Sequence, residues 1–257
     1  MDIRMSLDFW DIVLVLVVSG QATVLAYIYA PKWKAFILSL LFPFTVAVLA
    51  VGRPLDATNV LGLALLVFFT HGIRILHYDF HLSIISSIIL ATAGYCVLGT
   101  MLAGVLSSND FVFWTSCLFV AGVAIWLLVI FSHSEEKGHR TPLPIWVKLP
   151  LIMAVVVALI LIKQRLQGFM TVFPMVGVIA AYEARMCLRT ISRQISVITL
   201  TLLPMIMICR ISQEWIGLGF SLLLGWPVFM MALILLTRFM AHMDKSLGND
   251  ITFVRTS

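Results

Sequence analysis

The sequence predicts an all-α integral membrane protein. Of its 257 residues, 61% are hydrophobic and 11% are charged, and the mean hydropathy is +1.08. Soluble domains average about 45–50% apolar and about 25% charged residues. A surface this apolar must face lipid over most of the chain. Apolar runs close to the length of a membrane-spanning helix, about 20 residues, recur from end to end.

Nine such runs predict about nine transmembrane helices in a single membrane domain, 1–257. The mixed charge of Asp2, Arg4 and Asp8, with no small-residue cleavage site after the first run, predicts a retained helix rather than a signal peptide. The runs are 10–29, 35–52, 59–76, 82–105, 111–131, 146–162, 168–184, 195–211 and 215–239.

The basic residues predict the orientation of these helices. Most of them fall in loops on the side of the membrane that the chain reaches after the first helix, which the positive-inside rule makes cytoplasmic. We therefore expect a multi-pass protein of the inner (plasma) membrane with its N-terminus outside and its C-terminus in the cytoplasm. The same placement argues against nucleic acid as the reason for a net charge of +5. The cytoplasmic set is Lys32, Lys34, Arg74, Lys137, Arg140, Lys148, Arg185, Arg189, Arg193, Arg238, Lys245 and Arg255.

Two similar stretches indicate an internal repeat. Phe42-Pro43 opens an apolar stretch in the second run, and Phe173-Pro174 does so in the seventh. Two four-helix units separated by one linking helix would enter the membrane from opposite faces, which is the inverted repeat of many secondary transporters. The predicted boundaries are 1–106 for repeat one, 107–141 for the linking helix and a cytoplasmic loop, and 142–257 for repeat two.

Pro43 and Pro174 are the predicted helix-break residues. A proline inside a helix removes a hydrogen bond, and in lipid the freed carbonyl needs another partner or a cavity. Transporters place substrates at such broken helices. The alternative is a kink that only shapes helix packing.

Four charged residues are the candidates for substrate binding or ion coupling. Glu183 lies near the end of the seventh run, where it is either a coupling carboxylate, a partner of Arg74 or Arg210, or a local partner of Arg185. Arg74 and Arg210 lie just inside the ends of their runs and are candidate anion-binding gates, one on each face. The alternative for both arginines is snorkelling to the interface.

A metal site is a weaker hypothesis. His77, Asp79 and His81 have suitable ligand types at short spacing, but a chain turn is expected there. The four cysteines lie in or beside apolar runs and are interpreted as small hydrophobes. The sequence contains no HExxH, GxSxG, Walker or dinucleotide-binding motif, so we predict no cofactor and favour a non-enzyme.

Each half resembles the GlpM-like proteins, small four-helix proteins of the bacterial inner membrane. In that family a helix containing Phe-Pro precedes a polar turn and another spanning helix. Leu188-Arg189-Thr190 resembles the polar turn and Pro204 a proline of the next helix, whereas the first half lacks the Leu-Arg-Thr run. The resemblance implies a bacterial inner-membrane setting and a link to envelope polysaccharide production.

We expect a transporter of a small polar or anionic solute, or of a lipid-linked one, with the lipid bilayer and that solute as its partners. The repeat favours this function. The small number of deeply embedded charges favours an alternative, a membrane scaffold or assembly subunit of an envelope-polysaccharide or membrane enzyme complex. A metal-dependent intramembrane enzyme is a third hypothesis. Whether the chain has protein partners or forms a homo-oligomer is left open.

Overall fold

The computed structural model describes residues 9–106, 109–130, 136, 145–160, 166–172 and 174–254. Within these ranges every regular element is helical. The elements are α1 (Phe9–Tyr27), α2 (Pro31–Leu38), α3 (Phe42–Val51), α4 (Ala57–Tyr78), α5 (Ile84–Val105), α6 (Asp110–Ile130), α7 (Ile145–Ile160), a 3-10 helix (Gln167–Val172), α8 (Met175–Glu183) and α9 (Leu188–Val254).

Six stretches of helix are long and apolar enough to cross a membrane, which confirms the predicted class. α7 has only 16 residues, and the apolar stretch Gly168–Glu183 is also shorter than a typical span. The six stretches are α1, α2 together with α3, α4, α5, α6, and α9 as far as Met240.

α4 is the centre of the core. It is the most buried of the six stretches and packs against α5, α6, α8, α9 and the 3-10 helix. Its start is closed by a capping box, in which the Asp56 carboxylate accepts the Thr58 N–H at 2.8 Å and the Asn59 side chain accepts the Asp56 N–H at 2.8 Å. These five elements are therefore positioned against a helix whose start is well defined.

The second apolar run is a broken helix. α2 ends at Leu38, and α3 begins at Phe42 with Pro43 in its first turn. Proline fits there because a first-turn N–H has no intrahelical partner to lose. The Gln21 amide of α1 donates to the carbonyls of Ile37 at 2.6 Å and Leu40 at 3.2 Å. The carbonyls exposed by the break are thus bonded inside the protein.

The seventh run is broken in the same way. The 3-10 helix ends before Pro174, which is the N-cap of α8, while Phe173 lies outside the described residues. The Asn59 amide of α4 donates to the Gly168 carbonyl at 3.3 Å and to the Thr171 hydroxyl at 2.9 Å. A side-chain amide from an unbroken helix again donates a hydrogen bond to a backbone carbonyl beside a break.

The two broken helices pack against each other in opposite directions. α2 contacts α8, and α3 contacts the 3-10 helix. The first half of each broken helix therefore lies beside the second half of the other.

α9 folds back on itself at Gly217, whose φ of 77° and ψ of 164° are not helical. The Cys209 thiol lies 3.1 Å from the Ser221 carbonyl, although 12 residues of continuous helix would separate them by about 18 Å. The sequence placed this break at residues 212–214, five residues or fewer too early. Gly217 takes the turn because its backbone conformation is one that residues with a Cβ rarely adopt.

Gly168 tests the contact between the 3-10 helix and α4. A Cβ at Gly168 would lie 1.9 Å from the Thr58 Oγ1, so Gly168→Ala must displace one of the two elements. We expect a loss of about 1–3 kcal/mol of stability, as for overpacked cores, measured by thermal unfolding in detergent. Gly20→Ala is the matched control, because a Cβ at Gly20 meets nothing within 4 Å. Equal behaviour of the two variants would contradict the close approach.

Candidate functional site

A cavity of about 90 Å³ lies where the two helix breaks meet. Pro43 and Pro174 both line it, together with residues of α1, α4 and α9. The two predicted helix-break residues therefore line the same space. A cavity between antiparallel broken helices is the arrangement in which many transporters hold a solute.

The walls of this cavity are almost entirely apolar. Among the described residues that line it, only Gln21 and Thr171 have polar side chains, and none is charged. The Thr171 hydroxyl donates to the Gly168 carbonyl at 2.7 Å, and the Gln21 amide N–H groups bond the α2 carbonyls. The Gln21 Oε1 is buried with no hydrogen-bond partner in the described part of the chain. Gln21, which lines the cavity, thus carries one buried acceptor without a partner among the described residues.

The start of α8 adds backbone donors to the same wall. Its N-cap makes no side-chain hydrogen bond, and the first turn of the helix closes with the Val178 N–H on the Pro174 carbonyl at 2.8 Å. Met175, Val176 and Gly177 precede that donor and line the cavity. The first N–H groups of a helix have no intrahelical partner and carry partial positive charge. This wall therefore favours an electronegative atom.

Glu183, Arg74, Arg185 and Arg210 do not line this cavity. The structure separates these four candidate residues into two groups near opposite ends of α4. Arg210 bonds the carbonyl of Leu55, which precedes α4, whereas Arg74 is 19 residues further along. That separation corresponds to about 28 Å of helix. The four charged residues therefore lie apart from the cavity that the two prolines line. The placement of the two arginines on opposite membrane faces stays a prediction.

The first group surrounds the end of α8. Glu183 is 3% exposed, and its backbone carbonyl accepts a hydrogen bond of 2.6 Å from the Lys34 ammonium of α2. Lys34 is itself 0% exposed. From the sequence, Lys34 was interpreted only as a loop charge that sets the orientation of the helices in the membrane. The reason was its position just before the apolar run 35–52. Its position at the edge of that run was the one signal of burial.

Arg185 and Arg74 complete this first group. The Arg185 guanidinium lies 5.3 Å from the centre of the Tyr182 ring, and the Arg185 carbonyl accepts from the Tyr78 hydroxyl at 3.1 Å. Arg74 interacts electrostatically with Asp79 and Glu136. The group therefore joins the end of α4 to the connection between α8 and α9.

The second group lies at the start of α4. Arg210 forms an ion pair of 2.9 Å with Asp110, the first residue of α6. The Gln213 side chain accepts from the Leu55 N–H at 2.8 Å and donates to the Leu55 carbonyl at 3.1 Å. This polar group ties α9 to the starts of α4 and α6.

Glu136 has a role that the sequence did not indicate. Its carboxylate accepts from the Arg189 N–H at 3.2 Å and from both the N–H and the hydroxyl of Thr190 at 2.8 Å. The sequence assigned Glu136 to a solvated loop, and began the eighth helix at residue 195. The helix begins at Leu188 because this carboxylate satisfies the N–H groups of its first turn.

The metal candidates lie in the turn after α4. α4 ends at Tyr78, the His77 Nδ1 is 2.8 Å from the Leu82 carbonyl, and His81 has a φ of 55°. Within the described ranges, no group of three or more His, Cys, Asp or Glu residues could hold a metal ion, and His77, Asp79 and His81 are among the residues searched.

The fold and cavity define a multi-pass α-helical membrane protein with two broken helices. No protein-family model, curated protein or solved structure matches the chain. The resemblance of each half to the GlpM-like proteins stays a prediction.

Cys187, in the turn between α8 and α9, provides a test of the packing in the first group. Burial raises the pKa of its thiol to about 11, with the Lys34 ammonium opposing and the Glu136 carboxylate adding to that shift. Below pH 9 the thiolate should therefore be roughly hundredfold scarcer than for an unperturbed thiol. We expect alkylation of Cys187 to keep rising with pH beyond 9, measured by mass spectrometry, whereas the reference thiol of an Arg53→Cys variant levels off earlier. A plateau of Cys187 reactivity near pH 9 would contradict its burial.

Proposed function

We propose that this protein is a secondary transporter built from two inverted four-helix repeats and a linking helix. The observation that carries the proposal is that two antiparallel broken helices place their prolines on the same cavity. A nine-span arrangement counts α7, the stretch 167–183 and the two arms of α9 as separate crossings. α6 is the linking helix in this arrangement.

Reciprocal contacts between the halves support the inverted repeat. The Asn59 amide of α4 reaches the 3-10 helix of the second half, and the Gln194 amide of α9 donates to the Ser39 hydroxyl beside the first break at 2.5 Å. The end of α4 bonds the backbone at Arg185, just before α9, and the first arm of α9 bonds the backbone at Leu55, just before α4. Corresponding helices of the two halves, α4 and the first arm of α9, thus make similar hydrogen bonds to the opposite half.

The cavity supports a particular kind of solute. A polyanion or a free inorganic anion would lose its hydration without gaining a charged partner from these walls. A small molecule with an apolar body fits better, provided that its polar end offers a donor to Gln21 Oε1 and an acceptor to the α8 N–H groups. Among the polar, anionic and lipid-linked solutes that the sequence predicted, the cavity favours small amphipathic ones.

The alternative is a scaffold or assembly subunit of an envelope-polysaccharide or membrane enzyme complex. One face of α6 is compatible with it, because this face exposes large apolar side chains around Gly122, including Leu118 at 74% and Trp126 at 60%. In a transporter this face contacts lipid, and in a scaffold it contacts a partner helix.

A topology map tests the inverted repeat directly. We expect reporter fusions after Ser107 and after Gln167 to report outside and a fusion at the C-terminus to report the cytoplasm, because nine crossings place the broken helices in opposite orientations. An external C-terminus, or broken helices that run the same way through the membrane, would overturn the repeat.

Filling the cavity tests the solute site. A ligand that binds only the folded protein raises its unfolding temperature, so we would screen small carboxylic acids, alcohols and sugars against the purified chain. Ala47 is 2% exposed and lines the cavity, and Ala47→Leu should abolish any shift that the wild type shows. Ala154→Leu, on an exposed position of α7, is the matched control and should retain it. A chain that responds to no solute and co-purifies with a partner would favour the scaffold.

A further inference from the structure

We propose that Lys34 is a gate residue, which holds α2 against α8 and must release the end of α8 when the cavity opens toward that side. This inference rests on the proposed function, because a gate has meaning only for a protein that transfers a solute. It assigns a role to a residue that acts through the packing of the two broken helices.

The contact has the chemistry of a closed latch. The ammonium of Lys34 donates to the carbonyl of Glu183, the last residue of α8, at 2.6 Å. The last carbonyls of a helix lack intrahelical partners and carry partial negative charge, so a cation is stabilised there. A hydrogen bond from a charged donor is also stronger than one between neutral groups. Lys34 therefore caps α8 from the other broken helix.

The contact between Lys34 and Glu183 lies between the cavity and one end of the protein. Leu38, one helical turn after Lys34, lines the cavity, as does the start of α8. Glu183, at the opposite end of α8, lies beyond the cavity in the direction of Arg185. Separation of α2 from α8 would open the cavity to that side, and it cannot occur while Lys34 holds Glu183.

Because the hydrogen bond between Lys34 and Glu183 is buried, we expect it to have two states, closed and open. Lys34 is 0% exposed, and an ammonium is stable in the interior only while it is hydrogen-bonded there. When the two helices separate, water can hydrate both the ammonium and the carbonyl. In the closed state the Lys34 ammonium bonds the Glu183 carbonyl without water, and in the open state both groups are hydrated.

The protein contains its own reporter of the open state. Cys187 packs with Ala184 and Ile191 in a small apolar cluster against which Leu38 of α2 lies. Separation of α2 from α8 removes that cover and exposes the thiol. Cys117 and Cys209 are equally buried, each at 0% exposure, on α6 and on the first arm of α9. They serve as internal references for unfolding of the whole protein.

The test compares thiol alkylation in Lys34→Met, Lys34→Arg and Lys32→Met, using N-ethylmaleimide and mass spectrometry of each cysteine-containing peptide. In Lys34→Met we expect Cys187 to react about tenfold faster or more, the effect of one lost charged hydrogen bond on a local opening equilibrium. Cys117 and Cys209 should stay protected. Lys34→Arg keeps the charge and should protect Cys187 better than Lys34→Met does, although the larger guanidinium must fit a buried site. Lys32→Met should behave like wild type because Lys32 is exposed.

Two outcomes would overturn the gate. Unchanged Cys187 reactivity in Lys34→Met would show that the contact does not hold the helices together. Equal increases at Cys187, Cys117 and Cys209 would show general destabilisation. The transport proposal fails separately: selective exposure of Cys187 in a chain that no solute stabilises would leave a real opening without a transported molecule.

Discussion

The structure depends on one constraint of a lipid environment, that every backbone polar group must find a partner within the protein. Two helices are interrupted inside the apolar stretches of this chain, and an amide side chain serves the backbone beside each break. Gln21 bonds carbonyls at the end of α2, and Asn59 bonds the 3-10 helix. Both amides come from unbroken neighbouring helices, so the broken helices are held in place by α1 and α4.

Because side-chain amides bond the backbone carbonyls beside the breaks, the cavity between the broken helices has apolar walls. The charged groups lie outside this cavity. The Gln21 amide N–H groups bond backbone carbonyls, and the Gln21 Oε1 has no partner among the described residues. The charges lie in two groups near opposite ends of α4, one built on Lys34 and Glu183 and the other on Arg210 and Asp110. This separation suits a central binding site whose access is controlled from two sides.

Glu183 and Glu136 also show why residue type alone is a poor guide to role. Glu183 attracts attention in the sequence because carboxylates are rare in apolar runs. In the structure its backbone carbonyl makes the contact to Lys34, a residue 149 positions away. Glu136, by contrast, does not stand out in the sequence, yet its carboxylate accepts from the first N–H groups of α9.

Composition and the length of the apolar runs were sufficient to predict the membrane class and the positions of most helices, because those properties depend on local hydrophobicity. The two Phe-Pro pairs located the stretches that contain the breaks, because proline is favoured at the start of a helix. Proline alone was not a sufficient signal, since Pro150, Pro204 and Pro227 lie inside helices. The partners of those breaks, the burial of Lys34 and the absence of the charged candidates from the cavity lining were decided by tertiary structure. Each of these features depends on which helices pack together. That packing is decided over the whole chain, because polar groups in lipid must find their partners on other helices.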